Sequence, residues 1–139
     1  MSRAARSAVL NRYASDGMAT TSPQRLVVLL FQRLVADLDK AHEAAEGGRI
    51  EATHDALVHA QEIVYELRLA LDVDSFEGAK ELASLYDHLM EQMVEANRTK
   101  STATIQHCRS VAEPLAETFA EAHQLSVQAA ASSLAGQAG

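Results

Sequence analysis

The chain has 139 residues, of which 47% are hydrophobic, and a net charge of −7 at pH 7. One domain of this length buries enough surface to fold without a metal or a disulfide, and the single Cys108 cannot form an internal bridge. No basic stripe is present, which argues against nucleic acid as a partner, and no apolar run is long enough to insert into a membrane. We therefore expect a cytoplasmic protein.

Residues 1–18 are predicted to form a short N-terminal helical arm. Val9, Leu10, Tyr13 and Met18 are its apolar positions. An arm of this kind could fold back over apolar surface on the rest of the protein.

The first long helix is predicted to begin after Ser22. Serine is a good N-cap, and Pro23 then occupies the first helical position, where its missing N–H costs nothing. The helix is expected to run to about Glu46 and to stop at Gly47-Gly48. Six consecutive apolar residues, Leu26 to Phe31, place apolar side chains on every face of this helix.

Two further helices follow, at about residues 49–71 and from the Asp74 region to about Arg98. Asp74 with Glu77 three residues later resembles a capping box, which predicts the start of the third helix. The apolar row of the second helix is Ala56, Ala60, Ile63, Leu67 and Leu71. The third helix has two rows, Leu82, Leu85, Leu89, Met93 and Ala96, and beside it Tyr86, Met90 and Val94.

A fourth helix is predicted after Ser101, which can cap it. Its apolar row is Ile105, Cys108, Val111, Leu115 and Phe119. Pro114 lies within that row and is expected to kink or divide the helix, because it removes one hydrogen bond and clashes with the preceding turn. Residues 126–139 are small and polar, and we expect a flexible or frayed tail there.

These elements predict an all-α fold, an antiparallel up-and-down four-helix bundle over residues 19–125. Short connections force consecutive helices to run in opposite directions. The first and third helices have more apolar surface than one bundle core requires, and something must cover the surplus. The N-terminal arm, a second copy of the chain and a segment of another protein are the candidates.

Motifs of catalysis are not evident. "EATH", Glu51 to His54, has the Glu-x-x-His spacing of dinuclear metal bundles, but a second such pair is missing. No glycine-rich phosphate loop, serine elbow or Cys/His cluster is present. We expect neither an enzyme nor a cofactor, and a metal-bundle oxidase is kept only as an alternative.

Three stretches together resemble the flagellar secretion chaperone family FliS. They are "TSPQRLVVLLFQRLVADL" (21–38), "ELRLALD" (66–72) and "LASLYDHLMEQMVEAN" (82–97). Taken in order, the similarity extends over about residues 8 to 122. The chain departs from the family pattern at His88-Leu89, at Glu91-Gln92 and at Pro114, which suggests a divergent member.

The resemblance implies a binding protein without nucleotide, metal or other cofactor. Members of the family bind the C-terminal segment of flagellin in the cytoplasm, prevent its premature polymerisation and bring it to the flagellar type III export apparatus. Their N-terminal arm covers the groove without client and docks at a component of the export gate. The positions that match are Leu10 and Tyr13 in the arm, and Leu26, Leu30, Phe31, Leu82, Leu85, Tyr86, Leu89, Met93 and Asn97 for core and groove. A structural homodimer without a client, or a weak homodimer, stays open as the alternative.

Overall fold

A computed structural model describes residues 22–138, and these form four helices. They are α1 (Pro23–Glu46), α2 (Ile50–Ala70), α3 (Ala79–Thr99) and α4 (Thr102–Ala138). The described residues contain no strand, which confirms the all-α prediction. The predicted arm at 1–18, with Leu10 and Tyr13, lies outside the described residues.

The ends of α1 are those that the sequence predicted. The Ser22 hydroxyl oxygen accepts a hydrogen bond from the backbone N–H of Arg25 at 3.1 Å, and Pro23 is the first helical residue. At the other end the Gly47 N–H donates to the Glu43 carbonyl at 3.1 Å. Gly48 follows with φ of 70°, a conformation that glycine adopts at little cost.

The predicted start of α3 is wrong. Asp74 and Glu77 do not form a capping box, because α3 begins only at Ala79, after Gly78 with φ of 94°. Asp72 organises the preceding turn instead, since its side chain accepts the Asp74 N–H at 3.1 Å and its carbonyl accepts the Ser75 hydroxyl at 2.6 Å. An aspartate that bonds its own backbone two residues on favours a turn over a helix start.

Replacing Gly78 by alanine tests the importance of this left-handed turn. We expect Gly78→Ala to lower the free energy of unfolding by about 1 to 2 kcal/mol, because a Cβ is strained at φ of 94°. Gly136→Ala is the matched control, since Gly136 lies in α4 with φ outside the left-handed region and with open space around the added Cβ. Urea unfolding measures both, and a Gly78→Ala variant as stable as the parent would contradict the prediction.

The fourth helix is continuous from Thr102 to Ala138. Ser101 caps it as predicted, because its hydroxyl oxygen accepts the Thr104 N–H at 3.2 Å. Pro114 does not divide the helix. Proline removes the hydrogen bond to the carbonyl of Ser110, and because Ser110 and Pro114 are both exposed, water can solvate that carbonyl.

The C-terminal stretch that was expected to be a frayed tail continues the fourth helix, and its residues are exposed from Gln124 to Gly136. Despite its length, neither α4 nor any other helix within residues 22–138 is apolar enough to cross a membrane.

The four helices form a closed ring around one core. Each helix packs against its neighbours in sequence, and α4 returns to pack against α1. The connections at 47–49, 71–78 and 100–101 are short, which makes consecutive helices antiparallel. At the centre, Phe31 lies 4.9 Å from Phe119 and 6.2 Å from Tyr86, measured between ring centroids. The predicted four-helix bundle is confirmed.

Candidate partner-binding surface

Most of the predicted groove residues lie in the core of the bundle. Five of the nine have side chains that are at most 7% exposed: Phe31, Leu82, Tyr86, Leu89 and Met93. They belong to one continuous cluster of buried apolar residues from all four helices. A partner therefore cannot touch these five side chains while the bundle is closed.

The remaining four groove residues within the described chain are more accessible. Leu26 and Leu30 on α1 are half-buried, and Leu85 on α3 is 39% exposed. Asn97 is half-buried and polar, and its Nδ2 donates to Nδ1 of His54 on α2 at 2.9 Å. Leu26 and Leu30 lie on α1, whereas Leu85 and Asn97 lie twelve positions apart on α3. These four residues therefore form a candidate site only together with other side chains.

A second apolar surface lies along the outer side of α2 and α3, which we call the α2–α3 patch. It consists of Val58 and Tyr65 on α2 and Met90 and Val94 on α3. Tyr65 is 53% and Val94 is 54% exposed, whereas Val58 and Met90 are half-buried. Val58 and Tyr65 are seven positions apart, so they lie on one face of α2. Met90 and Val94 are four positions apart and lie on one face of α3 in the same way.

Polar contacts between the two helices border the α2–α3 patch. The Arg68 Nε donates to the Asp87 carboxylate at 3.1 Å near one end, and the His54–Asn97 hydrogen bond lies near the other. Each is a surface contact that contributes little stability by itself. Together they mark the two ends of the α2–α3 patch.

Sequence reasoning detected only half of this patch. The second apolar row of the third helix contained Met90 and Val94, and that surplus row was the available signal. Tyr65 was missed, because it lies outside the main apolar row of its helix and no local signal shows that it stays exposed in the folded protein.

A buried carboxylate on the opposite side of α2 is fully paired. Asp37 on α1 is only 3% exposed and contacts Nδ1 of His59 on α2, with the Arg33 Nε 3.8 Å away. Beside it is a cavity of about 460 Å³ whose lining includes both basic and acidic side chains, such as Lys40 and Asp55. The contact joins α1 to α2 and offers no excess of either charge for a ligand.

Cysteine and tyrosine chemistry is suppressed by burial. Cys108 is 0% exposed, and desolvation raises the pKa of its thiol to about 11. Burial also raises the pKa of the Tyr86 hydroxyl well above its ordinary value. Both groups therefore stay neutral and unreactive near pH 7. Within residues 22–138, no cluster of three or more His, Cys, Asp or Glu side chains could hold a metal ion.

Known proteins resemble this chain in sequence and in fold. The model of the family described as flagellar protein FliS matches residues 6–126. A flagellar secretion chaperone FliS from Bacillus subtilis (strain 168) is 25% identical over 93 residues, which cover 67% of this chain and 69% of that protein. A crystal structure described as a flagellar chaperone from bacteria shares the fold, with a TM-score of 0.67 and 20% identity over 84% of this chain and 95% of that one. Because the family model matches most of its length, this chain belongs to the FliS family of flagellar proteins.

Proposed function

We propose that this protein is a flagellar export chaperone. It binds the C-terminal segment of flagellin in the cytoplasm, prevents premature polymerisation and delivers the client to the flagellar type III export apparatus. Membership of the FliS family supports this role, as does similarity to a Bacillus subtilis protein described as a flagellar secretion chaperone. The role is that of a binding protein and needs no enzyme activity or cofactor.

The observation that carries the proposal is the exposed apolar surface on a well-packed bundle. In the α2–α3 patch, Tyr65 and Val94 each expose more than half of their side chain although the core beneath them is closed. A disordered amphipathic segment can gain helical structure by burying its apolar residues on such a surface. The cost of ordering the segment lowers its affinity and keeps the complex releasable.

The predicted groove and arm form part of the same proposal. Leu26, Leu30 and Leu85 are accessible enough to contact a client, and Asn97 lies beside the end of the α2–α3 patch. The five buried residues of the predicted groove belong to the core of the bundle. Leu10 and Tyr13 are proposed to cover apolar surface in the absence of client and to dock at the export gate.

Calorimetric titration with a flagellin peptide tests the function. We expect a peptide of about forty C-terminal residues, from the flagellin of the same organism, to bind one-to-one with a negative heat-capacity change. Circular dichroism should show helix gained on mixing. A peptide of the same composition in scrambled order is the control. No saturable heat with the native peptide would overturn the proposed function.

A weak homodimer is the second candidate, and the end of α4 favours it. Leu125, Val127 and Leu134 are 58%, 48% and 68% exposed, which leaves apolar surface beyond the packed part of the helix. Sedimentation velocity over a concentration series separates the candidates. A mass that rises with concentration supports self-association, whereas a monomer at every concentration removes this candidate.

A further inference from the structure

Two histidines meet across the contact between α3 and α4. The Nε2 atoms of His88 and His107 are 2.8 Å apart, and the two rings are perpendicular with centroids 5.1 Å apart. When both imidazoles are neutral, one Nε2–H donates to the lone pair of the other Nε2. Two ring nitrogens from different helices therefore point at one place between the helices.

The surroundings of the pair favour a cation that arrives from solvent. His88 is half-buried and His107 is exposed, so water and small ions can reach both rings. Glu81 and Glu91 are exposed on α3 seven residues before and three residues after His88, which places them on the same side of that helix. Their negative charge raises the local concentration of cations.

We infer that His88 and His107 form a binding site for a divalent transition-metal ion of the zinc class. Imidazole nitrogen is a preferred ligand of these ions. Two nitrogens at 2.0 to 2.1 Å from a tetrahedral Zn²⁺ are about 3.3 Å apart, so the rings need to separate by roughly half an ångström. Water molecules fill the other two coordination positions.

Metal binding replaces the hydrogen bond between the rings without a net change in protons. Each neutral imidazole keeps one proton on Nδ1 and gives its Nε2 lone pair to the ion. The ring that had donated through Nε2 moves its proton to Nδ1 by exchange with solvent. Both histidines must be neutral, since a protonated ring has no lone pair for the metal.

The bound ion joins α3 to α4 at the least extensive of the four helix–helix contacts. The two ligands come from residues that are 19 positions apart in sequence, so the site exists only when these helices are packed together. An ion that binds the folded state alone stabilises it by mass action. The site therefore makes the stability of this side of the bundle depend on free metal.

Titration of tag-free protein with ZnCl₂ at pH 7.5 tests the inference. We expect one Zn²⁺ per chain with a Kd of roughly 1 to 100 µM, as two ligands supply about half the binding free energy of a four-ligand site. Zinc at about 0.1 mM should raise the midpoint of thermal unfolding by a few degrees. His88→Gln and His107→Gln should each weaken binding by about tenfold or more.

His54→Gln is the matched control. His54 also reaches across two helices, but it meets the amide of Asn97 and not a second imidazole. This variant should bind zinc like the parent protein. Absence of saturable binding up to about 1 mM Zn²⁺ would overturn the inference, and so would unchanged binding in both His88→Gln and His107→Gln, because the ion would then lie elsewhere.

Discussion

Phe31→Ala is expected to lower the free energy of unfolding by about 3 to 5 kcal/mol, the largest effect of any substitution considered for this protein. Phe31 is 0% exposed and lies at the centre of the core, against Phe119 at 4.9 Å and Tyr86 at 6.2 Å. Removing the ring leaves a cavity and also removes two contacts between aromatic rings. Urea unfolding followed by circular dichroism measures the loss.

Phe76→Ala is the control for this prediction. Phe76 lies in the connection between α2 and α3 and is 51% exposed, so the same chemical change there should alter stability by only about 0.5 kcal/mol. Comparable losses in the two variants would show that Phe31 is not the centre of a tightly packed core. A client-binding role for the Phe31 side chain would instead predict lost binding in a protein that stays stably folded.

Replacing Tyr65 and Val94 together by glutamine is expected to weaken binding of the flagellin peptide by about tenfold or more. Both side chains are more than half exposed, and a bound apolar segment would remove them from water. Glutamine is a good helix former, so the fold should remain. Calorimetric titration measures the affinity, and thermal unfolding checks that the double variant stays folded.

Ile50→Gln is the matched control for the α2–α3 patch. Ile50 is the first residue of α2 and is 67% exposed, at the opposite end of the helix from Tyr65. It should bind the peptide like the parent protein. If the parent binds and the double variant binds equally well, the client occupies another surface while the proposed function still stands. If the parent itself does not bind, the function fails independently of the patch.

The sequence by itself determined the helices and the family. Ser22, Pro23 and Gly47 mark the ends of α1 because capping depends on residues within one turn, and Ser101 caps the start of α4 for the same reason. Helical spacing of the apolar residues then predicted a bundle, and the short connections predicted that its consecutive helices are antiparallel. The resemblance to the FliS family, confirmed by the family match over residues 6–126, came from three short motifs in the correct order.

Local signals were less dependable where a turn competed with a helix. Asp74 and Glu77 have the spacing of a capping box, yet Asp72 organises a turn around Ser75 and α3 starts at Ala79. The same side chains can bond the backbone in either conformation. The hydrogen bonds of Asp72 and the left-handed conformation of Gly78 hold the turn, so α3 starts later.

Only the tertiary structure decided which apolar rows face the core. The rows on one helix differ by a rotation about its axis, and the neighbouring helices set that rotation when they pack. The structure buries Tyr86 and Met93 and leaves Val94 on α3 and Tyr65 on α2 more than half exposed. It also brings His88 to His107, a contact that no spacing in the sequence encodes. Periodicity measures how much apolar surface a helix has, whereas packing in three dimensions determines what covers it.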